Sequence, residues 1–431
     1  MAAEQVAPPA DAPPAGEPAG ILINRDFAKL WWGETISQIG TQVTQFALPL
    51  VAILTLKATV LEVGVLNALR FVPVIIVAIL AGVVLDRRRR RPVLIGCSLA
   101  SAVIIGLVPI AQAGGVLSLG LLYAVALLAG TLSVCFDVGA LSYVPYLVGR
   151  RHLGEANSRL QASIAFAGIA GPGLAGLLVG LITAPVTLTV DAASYLFSAA
   201  GLLAVRRREP APDHREQAPI RQSLAEGFHA VYGTRLLRVL LAQSATLNIG
   251  FGALSTVFTV YALRTVGLSA TKLGLALAAL QAGALLGALG AARVQRALGL
   301  GRTLVVAILA VSASPLLLLI PHGASPGAIV VFMLGWLGHG TGIAIWNVNT
   351  VTLRQAVTPS RVLARMNATY RMLLFGALPV GSLAGGLLGA AFGLHTALLI
   401  AALVLVTPIA WIFFSPVFRL TEMPSLAPED Q

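Results

Sequence analysis

The residues of this sequence that could do chemistry are ionisable side chains inside long apolar segments. Asp137 lies near the middle of the fourth such segment, and Glu34 lies near the start of the first. A charge in the hydrocarbon of a membrane is costly, so an ionisable residue there is a functional candidate by default. We therefore predict that Asp137 binds and releases a proton, with Glu34 as the second candidate. A purely structural pairing of Asp137 is the alternative.

Polar and aromatic side chains in the same segments predict the wall of a central cavity. Segment one carries a polar stripe that cannot comfortably face lipid, and two asparagines follow a tryptophan in segment ten. The predicted cavity residues are Gln38, Gln42, Gln45, Arg70, Trp346, Asn347, Asn349 and Arg371. Arg70 is also a candidate partner for Asp137. Glu34 and Asp191 lie closer to the membrane interfaces, where a structural role is the leading interpretation.

The sequence offers little for other kinds of chemistry. Its histidines, at positions 152, 214, 229, 322, 339 and 395, are scattered, and no metal-ligand cluster, nucleotide-binding loop or nucleophile constellation is recognisable. The two cysteines, Cys97 and Cys135, lie in apolar segments and cannot form a disulfide framework. We therefore expect no cofactor, no metal and no enzymatic activity.

Composition defines the elements that must hold these residues. The chain is 57% hydrophobic and 11% charged, whereas a soluble globular domain has about 25% charged residues. We predict an all-α membrane protein with twelve transmembrane helices in two pseudo-symmetric six-helix bundles. The apolar segments are 30–56, 61–85, 92–113, 117–148, 156–182, 184–205, 236–263, 270–292, 303–321, 326–353, 365–393 and 394–418. The net charge of +12 does not indicate nucleic-acid binding, because the basic residues sit in short loops between these segments.

The distribution of basic residues predicts the orientation. Twenty-three Lys and Arg residues lie on the side of both chain ends, and three lie on the other side. Because Lys and Arg stay in the cytoplasm, we expect cytoplasmic termini and a multi-pass protein of the bacterial inner membrane. The predicted organisation is a disordered tail at 1–24, a bundle at 25–206, a cytoplasmic linker at 207–235, a second bundle at 236–419 and a tail at 420–431. Within the linker, residues 221–234 are compatible with an amphipathic helix on the membrane surface or with a solvated connector.

A short arginine loop follows the second segment. Asp86 runs directly into five consecutive arginines, and Pro92 opens the next apolar run. One interpretation is that the loop only stops the transfer of the second segment through the membrane, and this function would need the arginines alone. The spacing resembles the loop after the second helix of the major facilitator superfamily, which implies a gate in which Asp86 pairs with a cation near the end of segment five or eleven, Arg159 or Arg365. The motif residues are Gly82, Asp86, Arg87, Arg90 and Arg91.

An internal repeat supports a division into two halves. The pattern Arg151-x-Leu-x-x-x-Asn157 recurs 210 residues later as Arg361-x-Leu-x-x-x-Asn367, and the glycines at 171 and 176 recur at 381 and 386. Equivalent segments of the two halves therefore share a pattern, as expected for parallel repeats about an axis along the membrane normal. The acid of the arginine loop has no counterpart in the second half, so a gate network would be asymmetric.

Segment five carries a run of small residues with one proline. Small residues at these spacings let a helix approach its neighbour closely, and a proline permits a bend. The candidates for packing and bending are Gly168, Gly171, Pro172 and Gly176. Close packing alone explains the run, but the run also resembles the Gly-Pro signature in the fifth helix of facilitator antiporters, which implies export. Ala167 and Ala175 replace two glycines of that signature, a mild departure because both are small.

Further motifs extend the resemblance over nearly the whole chain. They are Arg25-Asp-Phe-Ala-Lys-Leu-Trp-Trp-Gly-Glu-Thr-Ile-Ser37, Phe136-Asp137, Tyr143-Val-Pro-Tyr-Leu-Val148, Asn157-Ser-Arg-Leu-Gln-Ala-Ser163, Asp191-Ala-Ala-Ser194, Leu353-Arg-Gln355 and Thr358-Pro359. In order and spacing they resemble the bacterial facilitators grouped with the enterobactin exporter and the macrolide efflux proteins, also called transmembrane secretion effectors. The resemblance implies secondary active transport, with proton-coupled export of a small lipophilic or siderophore-like compound.

Two other functions stay open at this point. One is an uptake carrier or lysolipid flippase of the same fold, and the other is a transport-dead accessory or sensor protein. Wholly apolar segment faces and the Gly-Pro run favour export over a carrier of polar solutes. We expect a monomer whose partners are the substrate, protons and the lipid bilayer.

Overall fold

The computed structural model describes residues 24–86, 88–207, 209 and 220–413, without the side chains of 78–86, 150, 220–224, 360, 361, 364, 412 and 413. In these ranges the chain is all-helical. The helices are α1 (Arg25–Leu50), α2 (Val60–Asp86), α3 (Arg90–Ala113), α4 (Leu119–Val148), α5 (Leu153–Ile182), α6 (Ala184–Ala204), α7 (Ile220–Gly233), α8 (Arg235–Arg264), α9 (Ala270–Leu298), α10 (Leu300–Ala313), α11 (Pro326–Val357), α12 (Ser360–Phe392), α13 (Leu394–Val404) and α14 (Pro408–Phe413). A π-helical turn, Val51–Thr55, extends α1, and a 3₁₀ segment, Ser314–Leu319, extends α10.

Helix starts follow the local sequence. The Asn24 side chain accepts hydrogen bonds from the first backbone N–H groups of α1, and the hydroxyls of Ser118, Ser269 and Ser325 do the same for α4, α9 and α11. These side chains satisfy donors that have no partner inside the helix. The last element breaks before Pro408, because a proline cannot supply the backbone N–H that an uninterrupted helix would need.

The helices follow the predicted segments. Within the described residues, eleven spans are long and apolar enough to cross a membrane. They comprise α2–α6, α8, α9, α10 with its 3₁₀ extension, α11, α12, and α13 with α14. Helix α1, the first predicted segment, is not among them because its polar stripe lowers its hydropathy, but its 26 residues pack among α5 and α6. The predicted fold class is therefore confirmed.

The helices form two bundles, α1–α6 and α8–α14, that meet along two seams. Helix α2 packs against α12, and α5 packs against α9. At one seam Gly176 lies against Gly274, and at the other Gly386 lies against Gly64. Each of these contacts is the other displaced by 210 residues. The repeat in the sequence is thus also a repeat in the contacts.

The same offset relates the turns of the two bundles. Lys57 has a φ of 57° and Gly267 has a φ of 76°, and these residues occupy equivalent turns. Thr183 has a φ of 99° and precedes α6, while the equivalent Gly393 has a φ of 80° and precedes α13. Side chains with a Cβ rarely adopt such a backbone, whereas glycine adopts it freely. The first bundle therefore carries two strained turns where the second bundle has glycine.

We expect Thr183→Gly to stabilise the protein. Its backbone, at φ 99° and ψ 153°, lies in a region that is nearly restricted to glycine, where another residue costs about 1–3 kcal/mol. Thermal unfolding of the purified protein in detergent should show a higher Tm for the variant. The control is Gly393→Thr, which places the same strain in the second bundle and should lower the Tm. A Tm that falls in Thr183→Gly would contradict the expectation.

The bundles touch each other at one end of the molecule. We call the end with the loops between α2 and α3, between α4 and α5, and between α11 and α12 the arginine-rich end, and the other the opposite end. All the hydrogen bonds that the structure describes between the bundles lie in the half nearer the opposite end. Arg264 donates to the Ala58 carbonyl (2.7 Å), Thr271 to the Gly176 carbonyl (3.1 Å), and Asn67 to the Thr256 hydroxyl (3.0 Å). The opposite end is therefore closed.

The connection between the bundles is fastened at both of its ends. The backbone N–H groups of Arg206 and Arg207 donate to the carboxylate of Asp26 at the start of α1. On the other side of the connection, the predicted amphipathic stretch is a helix, α7. Its Val231 is fully buried in a cluster with residues of α8 and α12, including Met366. One face of α7 therefore packs on the second bundle.

Candidate functional site

The first polar group of the site joins α1 to α4. Gln38 donates a hydrogen bond of 2.7 Å to Oε1 of Glu34, one turn away on α1. The other carboxylate oxygen, Oε2, is buried without a hydrogen-bond partner. Asp137 on α4 is close enough for its charge to act on Glu34, and Asp137 is itself exposed. The two predicted proton carriers thus lie together in the first bundle.

A second acid lies deeper toward the opposite end. Asp191 on α6 is fully buried, and its Oδ1 accepts a 3.0 Å hydrogen bond from Ser194. Its other oxygen, Oδ2, has no hydrogen-bond partner. Tyr195, one turn further, shares a 3.1 Å hydroxyl contact with Thr41 of α1. Tyr195 also lies within the electrostatic reach of Asp191, Glu34 and Asp137.

Arg70 belongs with this deeper acid. The charges that act on its guanidinium are those of Tyr195 and Asp191, and its Nη1 approaches the Gln45 carbonyl at 3.5 Å. Asp137 instead lies near Arg371 of α12, whose charge acts on it. The structure therefore favours Asp191 as the partner of Arg70 over the predicted Asp137.

The wall contributed by the second bundle is built on two arginines. Arg371 is exposed, with its guanidinium 5.9 Å from the centre of the Phe375 ring. Arg354 on α11 is 8% exposed, and its guanidinium lies 3.8 Å from the centre of the Tyr370 ring. The Tyr370 hydroxyl donates to Ser244 of α8 at 3.2 Å, which fixes the ring under the cation.

The predicted cavity residues of α1 and α11 fall into two sets. Gln45 and Asn347 are exposed, and Gln42 is half-buried. Trp346 and Asn349 are each 1% exposed and pack inside the second bundle. In this conformation their burial keeps them away from the surface of the bundle, and a cavity role for them stays a prediction.

The small residues of α5 do the packing that their spacing predicts. Gly171 lies against Gln42 of α1, and Gly168 lies against Gln281 of α9. The carbonyl of Pro172 contacts Gly274, so no large side chain separates α5 from α9 there. The proline does not interrupt the helix, which is continuous from Leu153 to Ile182. Helix α5 is therefore wedged between α1 of its own bundle and α9 of the other.

The arginine loop is described only in part. The side chains of Gly82 and Asp86, and the whole of Arg87, lie outside the described residues. The backbone N–H groups of Arg90 and Arg91 donate to the carboxylate of Glu209 (2.9 and 3.1 Å), and the Arg91 guanidinium donates to the Leu202 carbonyl at the end of α6 (2.9 Å). An acid at the start of α3 and a cation at the end of α6 both match the helix dipole.

The two cations predicted as gate partners for Asp86 have other partners here. Arg159 pairs with Glu155 of its own helix at 2.9 Å. Arg365 pairs with Glu226 of α7. A pairing of Asp86 with either cation in the other conformation stays a prediction.

Several residues of the site are missing from the predicted set. The prediction gives Asp191 a structural role and includes Arg354 only within a family motif. Tyr195 and Glu209 are not among the predicted site residues. The signal for Asp191 and Tyr195 is their spacing of four residues on α6, which puts both on one helix face. For Arg354 it is a lone cation three residues before the end of an apolar helix. No pattern in the sequence predicts that Glu209 caps α3.

The arrangement brings unlike charges to opposite walls. The first bundle presents Glu34 and Asp137, and the second presents Arg371 with Arg354 behind it. No ion pair between described residues includes Asp137 or Arg371. No group of three or more His, Cys, Asp or Glu side chains in the described part of the chain could hold a metal ion. Charged groups of this kind can bind a polar solute and exchange protons.

Comparisons with known proteins agree with this architecture. A family model described as transmembrane secretion effector matches residues 18–430. The nucleoside transporter NupG has a similar structure (TM-score 0.73, 14% identity, 90% of this chain and 99% of that one). A bacterial homolog of the human lysosomal transporter Spinster, inward-facing and unoccupied, is also similar (0.72, 15%, 94% and 99%). So is a bacterial homologue of the iron transporter ferroportin in an inward-facing state (0.68, 18%, 91% and 99%). At these identities the structures establish the fold alone, and no curated protein matches the sequence.

Proposed function

This chain belongs to the transmembrane secretion effector family, and on that premise we propose that it exports a small organic compound by alternating access, driven by a proton gradient. The major facilitator fold makes it a membrane transporter. Export and proton coupling are the proposed part. The family description supports export, and the acids of the first bundle support the coupling.

One observation carries the proposal. Asp137 is an exposed acid on α4 of the first bundle, and Arg371 of the other bundle is near enough for its charge to act on it. A charge near the middle of a membrane protein is expensive unless it serves a function. The side chains that face Asp137 from the elements packed around it are Glu34, Tyr195 and Arg371. It is therefore the acid best placed to report its protonation state to both bundles.

The coupling mechanism follows from these charges. An ionised Asp137 attracts Arg371 and favours approach of the two walls, whereas a protonated Asp137 does not. A proton that binds one conformation better than the other shifts the population toward that conformation. Glu34, beside Asp137 and with one oxygen free, is the next proton acceptor on the way to the arginine-rich end. Protonation on one side and release on the other would then drive the cycle.

We propose that the arginine-rich end faces the cytoplasm of a bacterium. The excess of basic residues at this end supports that orientation. The closed opposite end then makes this an inward-facing conformation, in which an exporter collects its cargo. Reporter fusions at residues 115, 265 and 323 should read as periplasmic, and fusions at 90, 215 and 360 as cytoplasmic. The reverse pattern would contradict the proposed orientation.

Transport in everted membrane vesicles tests the function. Export from the cell becomes uptake into such vesicles, and a proton gradient, acid inside, should drive it. A panel of lipophilic and siderophore-like compounds should contain at least one that accumulates and is lost again when an uncoupler is added. Accumulation only in right-side-out vesicles would indicate an uptake carrier. The lack of any gradient-dependent flux across the panel would favour an accessory or sensor protein.

A further inference from the structure

We propose that the exported compound is an organic anion with an apolar body, and that Arg371 and Arg354 form the subsite for its acidic group. The inference rests on the proposed function, because it names the substrate class for the same cavity.

The second bundle contains no acid at all. Between residues 236 and 419 the sequence has eleven Lys and Arg residues and not one Asp or Glu. Every carboxylate that pairs with these cations must therefore come from another part of the chain or from a ligand. The described ion pair of Arg365 shows the rule, since its partner Glu226 lies on the linker helix α7.

Arg354 is a buried cation without a counter-charge. It is 8% exposed, and its Nε has no hydrogen-bond partner. The electron-rich face of Tyr370, 3.8 Å away, compensates only part of its charge. A buried cation is stabilised when an anion approaches and supplies hydrogen-bond acceptors. Nothing among the described residues of the second bundle can play that role.

Arg371 adds a second cation on α12. It follows Tyr370 in the sequence, and its charge acts on Arg354. Arg371 is exposed, and no described ion pair includes it. Each guanidinium group carries its N–H donors in a planar fork, which suits the two oxygens of a carboxylate. Guanidinium groups therefore fit a carboxylate better than an ammonium group would, because an ammonium group is a single point of positive charge.

The arginines of α11 and α12 lie at successive depths and provide a path for an anion. Arg354 lies three residues before the end of α11, and Arg365 and Arg371 lie five and eleven residues after the start of α12, so their distance from the arginine-rich end increases in that order. Arg371 is eleven residues after the start of α12, or about 17 Å along the helix at 1.5 Å per residue. A wall of one sign raises the local concentration of ions of the other sign. An anion entering from the arginine-rich end would be drawn to the middle of the molecule.

The surroundings of Arg371 define the rest of the ligand. Its guanidinium lies beside the Phe375 ring. This neighbour is apolar and would pack against a hydrocarbon or aromatic body.

Three compounds with one body and different charge test the subsite. They are 1-naphthylacetic acid, 1-naphthylacetamide and 2-(1-naphthyl)ethylamine, titrated into the intact purified protein in lipid nanodiscs. We expect the acid to bind at least about tenfold more tightly than the amide, and the amine more weakly still. If the acid binds no more tightly than the amide, or does not bind, the proposal is overturned.

Variants assign the preference to the residue. Arg371→Gln should remove the difference between acid and amide, and Arg371→Lys should keep part of it because the charge remains. The matched control is Arg296→Gln on α9, whose guanidinium bonds to its own helix at the Ala292 carbonyl (3.3 Å); it should keep the full preference. An acid preference that survives in Arg371→Gln overturns the assignment. Arg371→Lys also guards against misfolding, since it must elute as a monodisperse peak.

The result is separable from the proposed function. Binding in nanodiscs needs no gradient and no transport. Selective binding of the acid without flux in vesicles would support the subsite and contradict proton-driven export. Flux of neutral or cationic compounds, with no preference for the acid in binding, would support export and contradict the subsite.

Discussion

Asp137→Asn should abolish accumulation of substrate against its gradient. An asparagine keeps the size and hydrogen-bonding capacity of the side chain but cannot exchange a proton, so the cycle loses its energy source. Uphill uptake into everted vesicles should fall to the level of vesicles without the protein, whereas downhill exchange of labelled for unlabelled substrate should persist. The measurement is the ratio of accumulated to external substrate at a fixed pH gradient.

Two variants serve as controls for this experiment. Glu155→Gln removes an acid of α5 that pairs with Arg159 on the surface of its own helix, and it should leave accumulation unchanged. Glu34→Gln removes the acid beside Asp137 and should weaken transport without uncoupling it. If Asp137→Asn still concentrates substrate with the wild-type dependence on the pH gradient, Asp137 has a structural role and the coupling assignment is wrong.

Gly176→Ala should shift the protein away from the conformation described here. A Cβ at this position would lie 2.6 Å from the Ala270 carbonyl oxygen and 3.1 Å from the Thr271 Cα. Both atoms belong to the backbone of α9, so the α5–α9 seam has to open at the opposite end. Overpacking of this kind costs about 1–3 kcal/mol, enough to change a two-state population by roughly tenfold or more. Transport should slow because the closed state is disfavoured.

Thiol labelling from the outer side measures this shift. The reporter is Gln45→Cys, on an exposed position of α1, in a background with Cys97 and Cys135 replaced by serine. Gly176→Ala should raise its labelling rate by a membrane-impermeant maleimide. The control is Gly173→Ala on the same helix, where an added Cβ meets nothing within 4 Å. Equal labelling rates in the two variants would contradict the expected opening.

Features that depend on the local sequence were predicted well. Segment counting located the eleven spans and also α1, whose polar stripe conceals it from a hydropathy average. The sequence repeat with an offset of 210 residues is recognised from Arg151 and Arg361. In the structure the repeat is seen in contacts of other residues, the seam glycines Gly64 and Gly274. Glycines mark the close approach of two helices in both halves, because the absence of a side chain allows one helix backbone to contact another.

Features that depend on helix rotation were not predicted. Arg70 faces Asp191 because of how α2 and α6 turn within the bundle, and depth along the membrane does not report that angle. Trp346 and Asn347 are neighbours in sequence, but a step of one residue turns the side chain by about 100°, so one is enclosed and the other exposed. Pairings between distant segments, such as Glu209 with the start of α3, leave no pattern in either segment.

The fastened linker has a consequence for how the two bundles stay together. Only ten residues separate Glu209, held at the start of α3, from Ile220 at the start of α7. Whatever conformation they adopt, a chain of that length spans at most about 40 Å. A short tether of this kind holds its two ends at an effective concentration in the millimolar range. The seams can therefore be individually weak, as a rocking motion demands, without any risk that the bundles separate. A chain cut within residues 210–219 would keep both anchors but lose that concentration, and its two halves would have to find each other by diffusion in the membrane.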